Sequence, residues 1–452
     1  MKSFDTRTGW YQCDFPATVG LVSGIIQLKT AIFGLLPRMI QITRGRSNGI
    51  VPKANLTTII RKTPFLVVRS PNTHFNLRNS MTDTLLIDLF VAYYDARRNK
   101  RNTINQLMFE EHMEENLFQL YDELIEGTYT ISPSICFIIK DPVKREIFAS
   151  SFRDRVVHHL IYNYLYDHLD RHFIHDSYSC RKGKGTHYGI KRLDHFIRSC
   201  TVNYSKDAYI LKLDIKGFFM NINKELLKQF LKKQYADIDP RYQALIVKII
   251  DHDPTKSYSF YGDISDYDDL PHDKSLFGTP EGTGLPIGNL TSQLFANVYL
   301  DAFDKRMKYT LGLKRYGRYV DDFVIVHHDK HILTQLIPKI KERLQENCNL
   351  TLHPKKIYLQ HYTKGVTFLG AHLKPHRIYI KKSTIGNAKK AIQKRLLCDE
   401  KDKEKLRATV NAYLGMMTHQ KSRKQRKKIA ETLTEYGEFE ENFSKIIFPS
   451  GS

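Results

Sequence analysis

Two adjacent carboxylates sit where the chain is expected to reverse. Residues 316–320 and 323–327 are short, mostly apolar runs separated only by Asp321 and Asp322, a spacing that reads as a β-hairpin. Two-residue hairpin turns favour Asn-Gly, Asp-Gly or Gly-Gly. An Asp-Asp pair departs from that rule, and local departures of this kind mark functional sites. Two such carboxylates repel one another unless a cation neutralises them, and hard oxygen ligands of that charge suit Mg²⁺. A third acid, Asp214, ends a separate apolar run over 209–213. Together the three meet the requirement of two-metal phosphoryl transfer, in which ions about 3.5–4 Å apart activate the attacking hydroxyl and stabilise the leaving oxygen. Asp214 and Asp321 would bridge two Mg²⁺ ions, the backbone carbonyl of Ile215 would serve the triphosphate-side ion, and Asp322 would be a weaker ligand.

Periodicity predicts the elements that must position these acids. Leu85, Leu86, Leu89, Phe90 and Tyr93, and then Phe109, Met113, Leu117, Leu120, Tyr121 and Leu124, recur at helical spacing. Residues 128–139 and 147–151 read as strands around a basic turn at 140–146, and 152–173 as a helix. The strand at 209–213 leads into Asp214, with a helix over 224–235 behind it. Residues 251–284, rich in Asp, Gly, Ser and Pro, read as a loop or insertion before a helix over 289–309. Beyond the hairpin come a helix over 332–346, strands over 357–360 and 365–373, and a basic helical region after 381. The fold class is α+β, helices against an antiparallel sheet, with no internal repeat.

Length and charge narrow the function. The 452 residues suffice for about three domain-sized units. With 70 Lys and Arg against 48 Asp and Glu, the net charge of +22 favours polyanions, nucleic acid ahead of an anionic membrane surface. A hydrophobic share of 41% excludes a disordered basic tail. Six Cys without a CxxC spacing exclude a zinc module and a disulfide framework and fit a reducing cytoplasm. The apolar stretch 19–40 is broken by Gln27, Lys29, Pro37 and Arg38, so no membrane span or export signal is expected. Residues 1–80 carry eleven basic and two acidic side chains and are set apart as a basic N-terminal extension. It is either an RNA-binding arm, or a poorly ordered leader or upstream sequence ahead of an internal start at Met81. The densest positive run, residues 420–428, suits a phosphate-backbone clamp.

The motifs carry a family resemblance. Leu213-Asp214-Ile215-Lys216-Gly217-Phe218-Phe219 resembles motif A of reverse transcriptases, and Tyr319-Val320-Asp321-Asp322 resembles motif C. Gly284-Leu285-Pro286-Ile287-Gly288-Asn289-Leu290-Thr291-Ser292-Gln293 resembles motif B in the form typical of diversity-generating retroelement reverse transcriptases. Most other reverse transcriptases have Gln-Gly and Ser-Pro where this chain has Ile287-Gly288 and Ser292-Gln293. Residues 152–159 and 177–187 also resemble that family, His353-Pro354-Lys355-Lys356 sits where motif D lies, and Phe368-Leu369-Gly370 where motif E lies. The resemblance runs in order through residues 81–385.

It implies a right-hand polymerase, with fingers and palm over 81–380 and a basic helical thumb and tail over 381–452. Phe219 would lie under the sugar of the incoming nucleotide as a steric gate, with Phe218 the alternative. Arg145 would pack over the base and hold the triphosphate, with Lys140 a second phosphate ligand. Gly284 and Gly288 allow close backbone approach, and Ile287, Gly288 and Gln293 belong to the nucleotide pocket. Lys356 or Lys355 would protonate the departing pyrophosphate or offset its charge. Ile287 replaces a glutamine that reaches toward the nucleotide, and its lack of hydrogen-bonding capacity implies lower fidelity.

The implied activity is RNA-directed DNA synthesis from deoxynucleoside triphosphates on an RNA template, extending a DNA or RNA primer. A template-repeat RNA would become adenine-mutagenised complementary DNA for mutagenic retrohoming, with an accessory variability determinant protein as partner. Two alternatives are another bacterial reverse transcriptase, such as a phage-defence enzyme, and a catalytically silent RNA-binding scaffold, which the intact acids argue against.

Overall fold

The computed structural model describes residues 80–98, 103–140, 144–397 and 403–435. All belong to the second of the two units into which the chain divides, Met1–His74 and Phe75–Ser452. The basic extension 1–80, apart from Ser80, lies outside the described residues, as does the apolar stretch 19–40.

Helical periodicity gives α1 (Ser80–Arg97), α2 (Ile104–Glu111) and α3 (Met113–Glu126), the last ended by Gly127 at φ 73°, a left-handed cap. Strands β1 (Ser134–Ile139) and β2 (Arg145–Ala149) follow, then α4 (Phe152–His172), whose N-cap Ser151 accepts a hydrogen bond from the Asp154 N–H. Next come α5 (Thr186–Cys200), β3 (Tyr209–Asp214), α6 (Lys224–Gln234), α7 (Pro240–Asp251) and β4 (Tyr258–Phe260). Helix α8 (Leu290–Lys305) leads through a π-turn into β5 (Tyr316–Tyr319), β6 (Asp322–His327), α9 (Lys330–Cys348) and β7 (Tyr358–His361). Strands β8 (Val366–Phe368), β9 (Ala371–Lys374) and β10 (Arg377–Ile380) and helices α10 (Lys382–Leu396), α11 (Lys403–Thr418) and α12 (Arg423–Glu435) complete the described chain.

The central sheet is antiparallel, in the order β5-β6-β3-β7. Its two central strands, β3 and β6, are largely apolar because both faces are covered. Leu211, Leu213, Phe323 and Ile325 join the large cluster that includes Leu160, Leu227, Leu294 and Leu333. Their neighbours Ile210, Val324 and Val326 face the opposite way, into a cluster with Tyr178, Leu193 and Phe368. Two three-stranded sheets, β2-β1-β4 and β10-β9-β8, flank it. Helices α10–α12 close over their own apolar cluster, including Ile392, Val410, Leu414 and Leu433.

Several local expectations are corrected. The strand expected at 128–139 begins only at Ser134, directly after Pro133, which has no N–H to give a ladder. The strand expected at 365–373 is a hairpin, β8 and β9, reversed at Leu369 (φ 49°) and Gly370 (φ 81°). The polar segment 251–284 contains β4, which pairs in parallel with β1. Helices α5 and α7 were not anticipated. Among the described residues no helix is long and apolar enough to cross a membrane.

Candidate active site

Register brings the acids together. Strands β3 and β6 pair so that Asp214 stands opposite Asp322, and β5 pairs with β6 so that Tyr319 stands opposite Asp322. The turn residues are therefore Val320 and Asp321, one position earlier than the Asp321-Asp322 turn expected, and Asp322 is the first residue of its strand. Val320 has φ 54°, the left-handed sense that two-residue hairpins require. A β-branched residue there is strained by roughly 1–3 kcal/mol. Both turn carbonyls are held: Arg318 Nη1 donates to Val320 O at 2.9 Å, and the Ile215 N–H donates to Asp321 O at 3.2 Å.

Crowding sets the electrostatics. Burial, with the negative charges of Asp214 and Asp322 added, pushes the Asp321 carboxyl up to about 6. Asp322 is also raised, by burial, against the opposing pull of Lys212, whose Nζ lies 3.1 Å from its Oδ1. Lys356 Nζ lies 2.8 Å from Asp214 Oδ1. The Lys356 segment is stitched to the end of β3 by His353 N–H to Asp214 O at 2.8 Å and Lys216 N–H to Thr351 O at 2.9 Å. Of the two lysines left open by the sequence, both exposed, Lys356 makes the bond to the acids, whereas the Lys355 backbone N–H donates to His353 Nδ1 at 3.3 Å.

Among the described residues no three His, Cys, Asp or Glu side chains form a ready metal cage. The donors are nevertheless hard oxygens, and Asp214, Asp321 and Asp322 meet at one end of the sheet, with Asp321 raised first by burial and then by its two acidic neighbours. That chemistry fits a divalent ion held by one or two carboxylates and completed by substrate phosphates and water.

The family described as reverse transcriptase (RNA-dependent DNA polymerase) matches residues 140–373. The chain belongs to the reverse transcriptase family. No curated protein sequence matches it. It is similar to a telomerase from Candida albicans in complex with a TWJ fragment of telomeric RNA, at 13% identity and a TM-score of 0.40, over 75% of this chain and 64% of that one. It is also similar to apo telomerase from Candida tropicalis, at 14% identity and a TM-score of 0.40, over 75% of this chain and 66% of that one. The chain thus spans just under two thirds of the length of these telomerases.

In this right-hand polymerase fold, the acids sit at one end of the central sheet, apart from the smaller sheet β2-β1-β4. The loop before α8 runs between them: the Gly284 N–H donates to Ile222 O and the Leu285 N–H to Phe219 O, both at 2.9 Å, and the Phe148 N–H donates to Ile287 O at 3.1 Å. A Cβ on Gly288, at φ 131°, would lie 2.9 Å from the Phe148 carbonyl oxygen, so glycine permits this approach. Phe218 is buried in the core, whereas Phe219 is half-buried at its edge. The Ile287 side chain packs against the apolar cluster of Cys136, Phe148, Met220 and Leu276. Gln293 is exposed, and its Oε1 accepts from Cys180 Sγ at 2.7 Å. Arg145 opens β2 and is exposed. Lys140, expected on phosphate, instead pairs with Asp266 of the polar segment, and its neighbour Lys144 donates to the Asp268 carbonyl, because that acidic segment folds back along the β1–β2 hairpin.

Other groups around the site escaped the sequence. Lys212 and Arg318 are charged residues inside apolar strands, a signal that alone would have flagged both. Glu146 is buried and binds the Leu276 N–H at 2.7 Å and Ser275 Oγ at 2.8 Å, fastening the polar segment to β2. Ser150 Oγ donates to Asn289 Oδ1 at 2.7 Å and sits 3.0 Å from His158 Nε2, whose Nδ1 lies 2.8 Å from Thr291 Oγ1. Burial pushes His158 down to about 3, so it stays neutral while linking β2, α4 and the start of α8.

Proposed function

We propose that this protein is the RNA-directed DNA polymerase of a diversity-generating retroelement, with fingers and palm over 81–380 and a thumb and tail over 381–452. The observation that carries the polymerase reading is the meeting of Asp214, Asp321 and Asp322 at one end of the palm sheet in a reverse transcriptase. When bound, two Mg²⁺ ions supply the positive charge that activates the primer hydroxyl and stabilises the leaving oxygen. Asp214, Asp321 and the Ile215 carbonyl would hold them, with Asp322, already paired to Lys212, the weaker ligand. Lys356 delivers a proton or positive charge to pyrophosphate, Arg145 grips the triphosphate, and Lys140 joins it after releasing Asp266. Phe219 lies under the sugar. Phe219→Ala is expected to raise ribonucleotide incorporation at least about tenfold relative to deoxynucleotides, measured by single-nucleotide extension; unchanged discrimination would remove its gating role.

Support for the diversity-generating reading comes from the loop before α8, with Ile287-Gly288 and Ser292-Gln293. Ile287 brings no hydrogen bond to the nucleotide pocket, which tolerates mispairing opposite template adenines. Ile287→Gln is expected to lower misincorporation at adenines, and an unchanged error rate would discard this mechanism while leaving the polymerase reading intact. The enzyme would work in the cytoplasm on a template-repeat RNA with an accessory variability determinant protein.

Primer extension on an RNA template with Mg²⁺ and deoxynucleotides, followed by product sequencing, tests the whole reading. Errors concentrated opposite adenines are expected. Faithful copying would favour another bacterial reverse transcriptase, and failure to extend even with cognate RNA and partner would favour a silent scaffold.

A further inference from the structure

Directly behind the catalytic turn lies a buried ion pair. Arg318 of β5 and Asp304 of α8 are each 1% exposed. Arg318 Nε lies 2.8 and 3.0 Å from the two carboxylate oxygens of Asp304, and Nη2 lies 2.6 Å from Oδ2. The Tyr316 hydroxyl donates to the same carboxylate. The remaining nitrogen, Nη1, donates to the Val320 carbonyl at 2.9 Å.

A buried ion pair is weak evidence for stability by itself, since apolar replacements of similar volume often fold as well. Its geometry here does something an apolar pair cannot. The guanidinium is planar, so docking its Nε–Nη2 edge on Asp304 fixes where Nη1 points. That nitrogen meets the carbonyl of the peptide leading into Asp321, while the Ile215 N–H holds the next carbonyl from β3. A left-handed valine persists only where its surroundings over-determine it. Asp304 also sits near the far end of the helix that begins directly after the Gly284–Asn289 loop, so one rigid element joins that loop to the turn.

We propose that Asp304 and Arg318 are positioning residues, which hold the Val320-Asp321 peptide so that Asp321 is presented beside Asp214 for cation binding and catalysis. The proposal rests on the polymerase reading for its catalytic consequence, but not for its effect on cation binding.

The test compares the full-length wild type with Arg318→Lys and with the double variant Arg318→Met/Asp304→Leu. Thermal melting, Mn²⁺ binding by electron paramagnetic resonance, and kcat and KM for deoxynucleotide in primer extension are measured for each. The double variant exchanges both buried charges for apolar groups but leaves the buried Tyr316 hydroxyl without its acceptor, so it is expected to stay folded and to melt within about 10 °C of wild type. Its kcat and Mn²⁺ affinity are nevertheless expected to fall about 10- to 100-fold, with KM changed less than about threefold. Arg318→Lys keeps the charge without the planar fork and is expected to show the same losses. Wild-type Mn²⁺ affinity in either folded variant overturns the proposal, and so does wild-type kcat. If the double variant does not fold, Arg318→Lys decides. If wild type extends no primer, the polymerase reading fails, and the Mn²⁺ titration still decides the positioning role.

Discussion

Asp321→Asn is expected to abolish primer extension and, in cation-free buffer, to make the protein more stable. Asp321 carries a carboxyl raised from 3.8 to about 6 by burial and by the charges of Asp214 and Asp322. Between those two values the folded state binds more protons than the unfolded state, so stability falls as pH rises through the window. The favourable contribution of protonation is fully present below 3.8 and is lost above about 6. The shift corresponds to about 3 kcal/mol of penalty for the ionised form at pH 8. Asparagine cannot ionise, so the variant should exceed wild type by up to that amount at pH 8 and approach it at pH 4, in urea melts with chelator present. Extension should drop at least about 10³-fold, since in the proposed polymerase phosphoryl transfer would depend on the charge gathered at this site. Retained extension would remove Asp321 from the chemistry, and a variant less stable than wild type at pH 8 would sink the electrostatic account.

Gly317→Ala should destabilise the fold by about 3 kcal/mol, at the upper end of the overpacking range. A Cβ at this position in β5 would lie 2.2 Å from the Tyr178 hydroxyl oxygen, 2.8 Å from Cζ and 3.0 Å from Cε2. Tyr178 cannot retreat easily. It is fully buried, its N–H donates to Arg318 O at 2.9 Å, and its hydroxyl donates to Asp176 Oδ1 at 3.2 Å. Tyr178→Phe removes the nearest atom but leaves the Cζ contact, so the double variant should recover part of the loss, a non-additivity expected of side chains in contact. Urea midpoints of wild type, both single variants and the double variant measure this coupling. Strict additivity, or a Gly317→Ala protein as stable as wild type, would show that the Tyr178 segment parts from β5 more readily than their packing implies.

Legibility in the sequence followed the range of the interaction. Helices such as α4 and α9 and the hairpin of β5 and β6 were visible because their periodicity is local. The β8–β9 reversal was hidden, since Leu369 is an unusual residue for a left-handed turn and the apolar run continues through it. β4 was hidden for a different reason: three residues in a polar segment become a strand only because β1 offers an edge.

The residues alone determined that three aspartates lie at the ends of apolar runs, and that the chain is a basic α+β protein whose charge favours a polyanionic partner. Only the tertiary structure decided that Asp214 faces Asp322, that Lys356 rather than Lys355 bonds to Asp214 and Lys212 to Asp322, and that Arg318 turns inward to Asp304 and the Val320 carbonyl. The physical reason is distance along the chain. Residue type and spacing encode which side chains carry charge and which face of an element they occupy, whereas partners such as Lys356 and Asp214, 142 residues apart, are chosen by sheet register and by what burial leaves unpaired.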